Sequence, residues 1–375
     1  MAQVTLRALC FVAAKRAELV GIQEANVEIA DGEFAVLAGP AGSGKSTLLR
    51  LIAGLEKPAS GDVLIGDRKV NEVLPKDREV AMVFRNYALF PHLSVYDNVA
   101  FGLKVRKFPG AEIKKRVQEA AAILGLENLL TRKPAGLTNE ESLRVALGRA
   151  LVRQAKVFLL DQPLALLEPA ARERMRLEIA RLQQRLETTM ICSIEDPMEA
   201  MSLGDRIIVL RDGVVQQSDT PTAIYAGPAN LFVAEFMGNP PMNLIRGTLK
   251  QERDTLLFRE RDEGTIEFRI PTTTARAFLQ EFAGRGVVLG IRPEDISLTQ
   301  NPPSKSETAA NFPALLEVVQ ARGAETILHL QTGAHALVSR SDGALDRRDA
   351  GRRVRCTFSP ACAHFFDTET THRIK

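Results

Sequence analysis

The sequence lacks any long apolar segment. None of its hydrophobic runs approaches the roughly 20 residues that a helix needs to cross a bilayer, and its beginning lacks a signal-peptide pattern. We therefore expect no direct membrane insertion, so any attachment to a membrane would come through a partner. An excess of one charge is also missing, because 49 Lys and Arg face 46 Asp and Glu, for a formal net charge of +3. Without a basic stripe interleaved with aromatic residues, the composition gives no support for nucleic acid as a partner.

Cysteine is scarce, and the four cysteines show neither metal-ligand nor redox spacing. The sequence therefore predicts reduced thiols and no metal site built on Cys356, Cys362 and His364. What the chain does have is length and a mixed composition, with 375 residues of which 45% are hydrophobic and 25% are charged. That length exceeds one ordinary domain and predicts two or three globular domains with sizeable cores.

A glycine-rich segment has the pattern of a phosphate-binding loop. Its residues are Gly39, Pro40, Ala41, Gly42, Ser43, Gly44, Lys45, Ser46 and Thr47. The glycines let successive backbone N–H groups cradle phosphate oxygens, while Lys45 reaches the terminal phosphates and Ser46 offers a hydroxyl to Mg²⁺. An apolar, β-prone run at 33–38 precedes the loop. A helix that opens at Thr47 is expected to follow, with its positive dipole end toward the anion.

A second part of the candidate site follows another buried-strand pattern. Residues 157–160 are apolar and β-prone, and Asp161 comes directly after them. This carboxylate is placed to hold the water shell of Mg²⁺ together with Ser46. The loop and the carboxylate together predict ATP and Mg²⁺ as ligands.

The patterns along the chain indicate two kinds of domain. Strands and helices alternate from Val4 to about Gly238, which predicts an α/β domain with a parallel sheet and covering helices, and residues 89–153 are mostly helical in pattern. Turn residues at 238–241 mark a boundary. Beyond it, short alternating runs predict a small β domain over 239–375. These runs include 265–270 and 314–319.

The chain resembles, almost end to end, the ATP-binding subunits of ABC importers of the maltose and glycerol-phosphate (MalK-like) branch. Beyond the phosphate loop, the discriminating segments are 82–95, 144–151, 157–163 and 289–295. The resemblance implies a P-loop NTPase (RecA-like) ABC nucleotide-binding domain over 1–238, with a helical subdomain at about 89–153. It also implies an OB-like β domain over 239–375 for dimerisation and regulation, with 301–306 as a loop between strands.

The resemblance further implies partners. Such subunits pair head to tail as homo- or heterodimers, sandwich two ATP molecules with Mg²⁺, and drive integral-membrane permease subunits. We therefore expect a cytoplasmic protein that is peripheral on the inner face of the cell membrane and docks through its helical subdomain. Tyr87, Phe90 and the turn at 93–95 are candidate permease contacts, although isolated aromatic residues are more often core.

Several positions depart from the family pattern where it touches the terminal phosphate, so no catalytic set is intact. Gln162 replaces the glutamate that follows the family's Walker B aspartate, and an amide can orient water but cannot accept its proton. Glu168 or Glu195 would have to substitute as the base. Glu195 also falls on the family's switch histidine. A carboxylate there repels the γ-phosphate by about 4 kcal/mol at about 4 Å and an effective dielectric near 20.

Arg85 occupies the position of the family's Q-loop glutamine, which contacts Mg²⁺ and the attacking water. A fixed positive charge beside Mg²⁺ is unfavourable. Arg85 and Glu195 either form an ion pair over the γ-phosphate position or are both solvated surface charges. The sequence leaves these two alternatives open.

The signature segment, which binds the partner subunit's γ-phosphate in the family, is degenerate too. It reads Leu137, Thr138, Asn139, Glu140 and Glu141. Thr138 and Glu141 match a capping box, so a helix is expected to begin here. The two acids, Glu140 and Glu141, would repel an anion at this helix start.

Two further family features are altered. The family's D-loop, which crosses the dimer interface, corresponds to residues 165–168. Most of these residues are apolar here, so polar contacts across the interface are not expected. At the adenine-stacking position the chain has Ala13 and Ala14, so Phe11 is the nearest candidate, although Phe on a strand is usually core.

Three functions stay open. The first is a pseudo-ATPase subunit of an importer for sugars or related solutes, which binds ATP with Mg²⁺ but hydrolyses it slowly or not at all. The second is a working ATPase that couples hydrolysis to carbohydrate uptake. The third is a cytosolic regulatory protein that acts through its C-terminal β domain.

Overall fold

The computed structural model describes residues 2–12, 21–253, 255–271, 277–299, 309–323, 325–341 and 345–375. They form two compact units, Met1–Ala223 and Ile224–Lys375. The strands of the first unit are β1 (Val4–Phe11), β2 (Ile22–Ile29), β3 (Phe34–Ala38), β4 (Ser60–Ile65), β5 (Arg68–Lys69), β6 (Val80–Val83), β7 (Val157–Asp161), β8 (Thr189–Ile194), β9 (Arg206–Arg211) and β10 (Val214–Asp219). The α-helices along the chain are α1 (Lys45–Ala53), α2 (Val95–Val105), α3 (Gly110–Leu124), α4 (Asn139–Leu151), α5 (Pro169–Leu186), α6 (Pro197–Leu203), α7 (Pro221–Ala226) and α8 (Leu231–Phe236).

The first unit is built on two sheets. One is antiparallel with the order β2-β1-β4-β5, and the other has the order β10-β9-β3-β8-β7-β6. The second sheet is parallel from β9 to β6, with β10 antiparallel at its edge. Every residue of β3, β7 and β8 is buried, as expected for parallel strands covered on both faces. The α/β P-loop fold that the sequence predicts is confirmed.

The topology brings the candidate site to one edge of this sheet. Because β3, β8, β7 and β6 run parallel, the segments that follow them leave the sheet at the same edge. Gly39 follows β3, Gln162 follows β7, Glu195 follows β8, and Arg85 lies two residues beyond β6. Residues far apart in sequence therefore meet around the phosphate loop.

The segment between β6 and β7 carries α2, α3 and α4, which confirms the predicted helical character of this region. Asn98 is fully buried and binds the backbone N–H and C=O of Phe90, so it fixes the entry to α2. Tyr87 is only 3% exposed and donates its hydroxyl to the Pro163 carbonyl at 3.1 Å. Burial raises its pKa to about 12. The expectation that Tyr87 is a permease contact is wrong, since its ring lies in the interior.

The second unit is antiparallel β structure. Its strands are β11 (Asn243–Glu252), β12 (Thr255–Glu260), β13 (Glu267–Pro271), β14 (Gly286–Ile291), β15 (Ser297–Thr299), β16 (Ala310–Arg322), β17 (Glu325–Gln331), β18 (Ala336–Ser341), β19 (Arg353–Phe358) and β20 (His364–Asp367). They form two five-stranded sheets, β13-β12-β11-β14-β20 and β15-β19-β16-β17-β18. The sheets share a core that includes Phe258, Leu289 and Leu328. The predicted strands at 265–270 and 314–319 correspond to β13 and to part of β16, while the predicted loop at 301–306 lies outside the described residues.

The structure divides earlier than the sequence boundary after Gly238. Helix α8 belongs to the second unit, because Arg292 donates to the carbonyls of Ala234 (3.3 Å), Met237 (2.6 Å) and Tyr225 (2.8 Å). The Arg292 guanidinium also lies 3.9 Å from the centroid of the Tyr225 ring. The division between 238 and 239 stays a prediction, whereas the compact units meet between Ala223 and Ile224.

In the part of the chain that the structure describes, no helix combines the length and the apolar character that crossing a membrane requires.

Candidate functional site

The phosphate loop connects β3 to α1 in a geometry that requires glycine. A Cβ at Gly39 would lie 2.2 Å from the Leu210 carbonyl oxygen, and Gly44 has a φ of 102° as the N-cap of α1. The helix begins at Lys45, so the predicted start at Thr47 is two residues late. The left-handed Gly44 ends the loop, and Lys45 and Ser46 already belong to the first helical turn. Backbone N–H groups in the first turn of a helix lack intrahelical acceptors, which suits this end of α1 to an anion.

The Lys45 ammonium lies folded into the loop. It donates to the carbonyls of Gly39 and Pro40, each at 2.7 Å, and to the Ser43 hydroxyl at 3.3 Å. Burial lowers the pKa of Lys45, and the charges of Glu195 and then Asp161 oppose that shift.

Ser46 and Asp161 meet as the sequence predicts. The Ser46 hydroxyl donates to Asp161 Oδ1 at 2.7 Å, and the Ser193 hydroxyl donates to the same oxygen at 2.9 Å. Asp161 is 5% exposed, so these bonds hold a nearly buried carboxylate in place. A hydroxyl and a carboxylate in contact are hard oxygen donors of the kind that Mg²⁺ prefers. The donor set fits a nucleotide with bound Mg²⁺.

Gln162 is held at both its backbone and its side chain. Its φ of 47° is uncommon for a residue other than glycine, and its N–H donates to the Ser193 hydroxyl at 2.9 Å. The side-chain Nε2 donates to Glu195 Oε1 at 2.7 Å. Because a carboxylate only accepts hydrogen bonds, this contact sets the orientation of the amide. The opposite atom, Gln162 Oε1, is buried without a hydrogen-bond partner among the described residues, so it can accept from a donor such as water.

Arg85 and Glu195 do not form the ion pair that the sequence left open. Within the described ranges, no salt bridge of 4.0 Å or less joins them. Both are exposed and line a cavity of about 180 Å³, which Arg172 and Glu199 also line. The hydrogen bond that the Glu195 carboxylate does accept comes from the Gln162 amide.

The degenerate signature forms a closed helix start. Thr138 Oγ1 accepts from the Glu141 N–H at 3.2 Å, and the Glu141 carboxylate accepts from the Thr138 N–H at 2.7 Å, which confirms the capping box. Glu140 is paired with Arg174 at 2.7 Å and with Arg144 at 3.2 Å. These arginines hold the pKa of Glu140 below its usual range against the effect of burial. The first turn of α4 therefore carries its own carboxylates and counter-charges.

Other sequence candidates are placed as follows. The segment 165–168 precedes α5, and Asn139 donates its side-chain amide to the Leu166 carbonyl within it at 2.8 Å. Phe11 ends β1, and its role at the adenine stays a prediction. The expected position at Ala13 and Ala14 lies outside the described residues.

Two residues at the site escaped the sequence reasoning. Ser193 links Asp161 to the Gln162 backbone, and Arg149 holds the carbonyls of Tyr87 and Ala88 at 2.7 and 2.6 Å. A serine within a buried strand, two residues before Glu195, was a usable signal. The Arg149 contacts span more than 60 positions and had no local signal.

A phosphate loop and an aspartate at the ends of two parallel strands define a P-loop nucleotide-binding protein. The chain belongs to the ABC transporter family, as one of its ATP-binding subunits. The ABC transporter family matches residues 22–165, the MalK OB fold domain matches 238–296, and the TOBE domain matches 289–366. The β unit is thus covered by two families, where the sequence analysis expected one OB-like domain.

Curated relatives match over nearly the full length. The uncharacterized ABC transporter ATP-binding protein YcjV of Escherichia coli O157:H7 is 45% identical over 94% of this chain and 95% of its own. The oligosaccharides import ATP-binding protein MsmX of Bacillus subtilis is 44% identical over the same shares. The sn-glycerol-3-phosphate import ATP-binding protein UgpC of Yersinia pseudotuberculosis is 43% identical over 94% of each chain.

Solved structures match the cassette portion. The ATP-binding cassette MJ0796, a dimer in a post-hydrolysis state bound to ADP and Pi, is 31% identical with a TM-score of 0.53. That match covers 58% of this chain and 98% of the other. The cbiO1 protein of Clostridium perfringens, part of the ABC transporter complex cbiONQ, is 29% identical with a TM-score of 0.54, over 60% and 90% of the two chains.

Proposed function

We propose that this chain is the nucleotide-binding subunit of an ABC importer for sugars or glycerol phosphate, and that it binds ATP with Mg²⁺ but hydrolyses it slowly or not at all. Family membership supports the transporter role. The printed names of MsmX and UgpC, an oligosaccharide and a glycerol-phosphate import protein, support the class of solute. The observation that carries slow hydrolysis is the hydrogen bond between Gln162 and Glu195.

Nucleotide binding follows from the loop. The phosphates would lie against the backbone N–H groups at residues 39–47, and Lys45 would exchange its bonds to the Gly39 and Pro40 carbonyls for phosphate oxygens. Ser46 and Asp161 would hold Mg²⁺. When bound, the ion neutralises charge on the terminal phosphates.

Slow hydrolysis follows from the missing base. The Gln162 amide cannot accept the proton of an attacking water, and the loss of a general base typically lowers the rate about 10²–10⁴-fold. Glu195 accepts a hydrogen bond from that amide, so one of its two carboxylate oxygens is already engaged. The start of α4 adds a second defect, because the Glu141 carboxylate already accepts from the Thr138 N–H there.

The assembly that we propose is a homo- or heterodimer docked on integral-membrane permease subunits, peripheral on the cytoplasmic face of the membrane. Phe101 supports docking through the helical segment, because it is 38% exposed and packs on Phe90 with the ring centroids 4.4 Å apart. The β unit would serve dimerisation and regulation.

A working importer ATPase is the second candidate. It is favoured by Gln162 Oε1, which is buried without a partner among the described residues and can accept a hydrogen bond from a water. In this case Gln162 orients the attacking water and another group accepts its proton.

The deciding experiment measures ATP binding and hydrolysis together on the purified full chain, with Lys45→Ala as the background control. We expect Mg²⁺-dependent binding that Lys45→Ala abolishes, with turnover no faster than that of this variant. Turnover of about 1–10³ s⁻¹, the usual enzyme range, would exclude the slow-hydrolysis proposal and support the working ATPase.

A further inference from the structure

We propose that Glu195 makes the nucleotide site selective for a nucleoside diphosphate with Mg²⁺ over the corresponding triphosphate. The inference rests on the proposed nucleotide-binding function and adds to it the ligand that the site prefers and the residue that sets the preference.

The topology places Glu195 beside the phosphate loop. Strand β8 pairs with β3, and Ile194 lies opposite Ala38, so Glu195 leaves the sheet next to the point where the loop begins at Gly39. Its charge also raises the pKa of Lys45, against the effect of burial. The strand register therefore places Glu195 at the same edge of the sheet as the start of the phosphate loop.

The Glu195 carboxylate is held in place by a neutral hydrogen-bond donor. Gln162 Nε2 donates to it at 2.7 Å, and this neutral amide orients the carboxylate without cancelling its charge. No arginine or lysine forms a salt bridge with it in the described part of the chain. A third phosphate at this end of the loop would face an anion, whereas phosphates in the backbone cradle would not. Repulsion of one ligand is an effective route to selectivity.

A second observation concerns the signature segment at the start of α4, which the partner subunit would contribute to the same nucleotide site. In a head-to-tail dimer the start of α4 would approach the terminal phosphate from the partner subunit. Here that helix start is satisfied internally, because the Glu141 carboxylate accepts from the Thr138 N–H at 2.7 Å. Glu140 beside it is likewise engaged by Arg174. The N–H groups of Thr138 and Glu141 are therefore already bonded within the chain and do not offset the repulsion by Glu195.

The test is calorimetric titration of the full chain with MgADP and with a magnesium complex of a non-hydrolysable ATP analogue. The variants are Glu195→Gln, which keeps an acceptor for the Gln162 amide and removes the charge, and Glu195→Ala as a second removal of that charge. Glu199→Gln is the matched control. Glu199 lines the same cavity and pairs with Arg172 at 3.6 Å, but it has no resolved effect on Lys45.

We expect the wild-type chain to bind MgADP at least tenfold more tightly than the analogue. Both changes at Glu195 should strengthen analogue binding at least tenfold and leave MgADP binding within twofold, while Glu199→Gln leaves the ratio unchanged. Equal wild-type affinities, or an equal effect of Glu195→Gln on both ligands, would overturn the selectivity alone. Failure of both ligands to bind, or binding that survives Lys45→Ala, would overturn the proposed nucleotide-binding function as well.

Discussion

Gln162 and Glu195 act as a pair, so a change at one alters the environment of the other. The amide at position 162 is the donor and the carboxylate at 195 is the acceptor of a 2.7 Å hydrogen bond. The family pattern places an acid at the first position and a histidine at the second. In this chain the carboxylate therefore follows β8 instead of β7, where the family has its base. The Gln162 amide, which replaces that base, donates a hydrogen bond to it.

This pairing predicts that Gln162→Glu alone does not restore hydrolysis. Two carboxylates would then face each other in place of a hydrogen bond, and like charges about 4 Å apart repel by roughly 4 kcal/mol at an effective dielectric near 20. We expect less than a twofold gain in steady-state ATPase rate over the wild-type chain. The double change Gln162→Glu with Glu195→His should give a larger rate than either single change, because it restores both family residues.

The control for that series is Gln162→Ala, which removes the amide without adding charge. A rise of about tenfold or more with Gln162→Glu alone would show that Glu195 does not oppose a carboxylate at 162, and that the base was the single missing group.

At the scale of elements, α4 shows how a helix start can be kept while its anion-binding face is lost. The capping box between Thr138 and Glu141 satisfies backbone donors at this end from within the chain. Glu140 extends the arrangement through Arg144, which also pairs with Glu178 on α5 at 2.5 Å. Partly exposed ion pairs of this kind each contribute little to the free energy of unfolding. The capping box therefore stabilises this helix start more than the ion pairs do.

The cap can be measured separately from any nucleotide. Thr138→Ala should lower the free energy of unfolding of the first unit by about 1 kcal/mol, because it removes the hydroxyl that accepts from the Glu141 N–H. Urea denaturation followed by helical circular dichroism reports the change. Thr138→Ser keeps a hydroxyl and should lose less than half as much. Equal stability of the alanine variant and the wild-type chain would contradict the role of the cap.

At the scale of the whole molecule, the position of the domain boundary decides which residues stabilise the second unit. Arg292 is 3% exposed, and the backbone carbonyls that it binds lie at Tyr225, Ala234 and Met237. All three precede the sequence boundary at 238/239. A chain that begins at 239 would leave this guanidinium buried without those acceptors, and hydrogen bonds to charged groups contribute about 1.5–3 kcal/mol each.

We therefore predict that a chain of residues 224–375 is more stable than a chain of residues 239–375. The difference should be at least about 3 kcal/mol, or a melting temperature lower by about 10 °C for the shorter chain. Thermal unfolding of both chains checks this, and Arg292→Met in the longer chain tests whether Arg292 is the cause. Similar melting temperatures for the two chains would support the boundary at 238/239 instead.

Much of the fold was predictable because its signals are local. The apolar β-prone runs at 33–38 and 157–160, the glycine spacing of the loop, and the Thr138–Glu141 cap each lie within a few residues. The structure has a strand at 34–38, a strand at 157–161 and the predicted cap. The helix start after the loop was misplaced by two residues. The pattern shows which residues suit a helix, whereas the left-handed conformation of Gly44 decides where the loop ends.

The sequence by itself determined the α/β class, the phosphate loop and the residues that differ from the family. Composition, periodicity and spacing carry that information along the chain. Only the tertiary structure decided the partners of these residues. Glu195 accepts from Gln162 rather than from Arg85, Ser193 joins Asp161, and Arg292 holds α8 to the second unit. These contacts join residues separated by some 30 to 60 positions, and the register of parallel strands, which no local pattern specifies, brings the first two together.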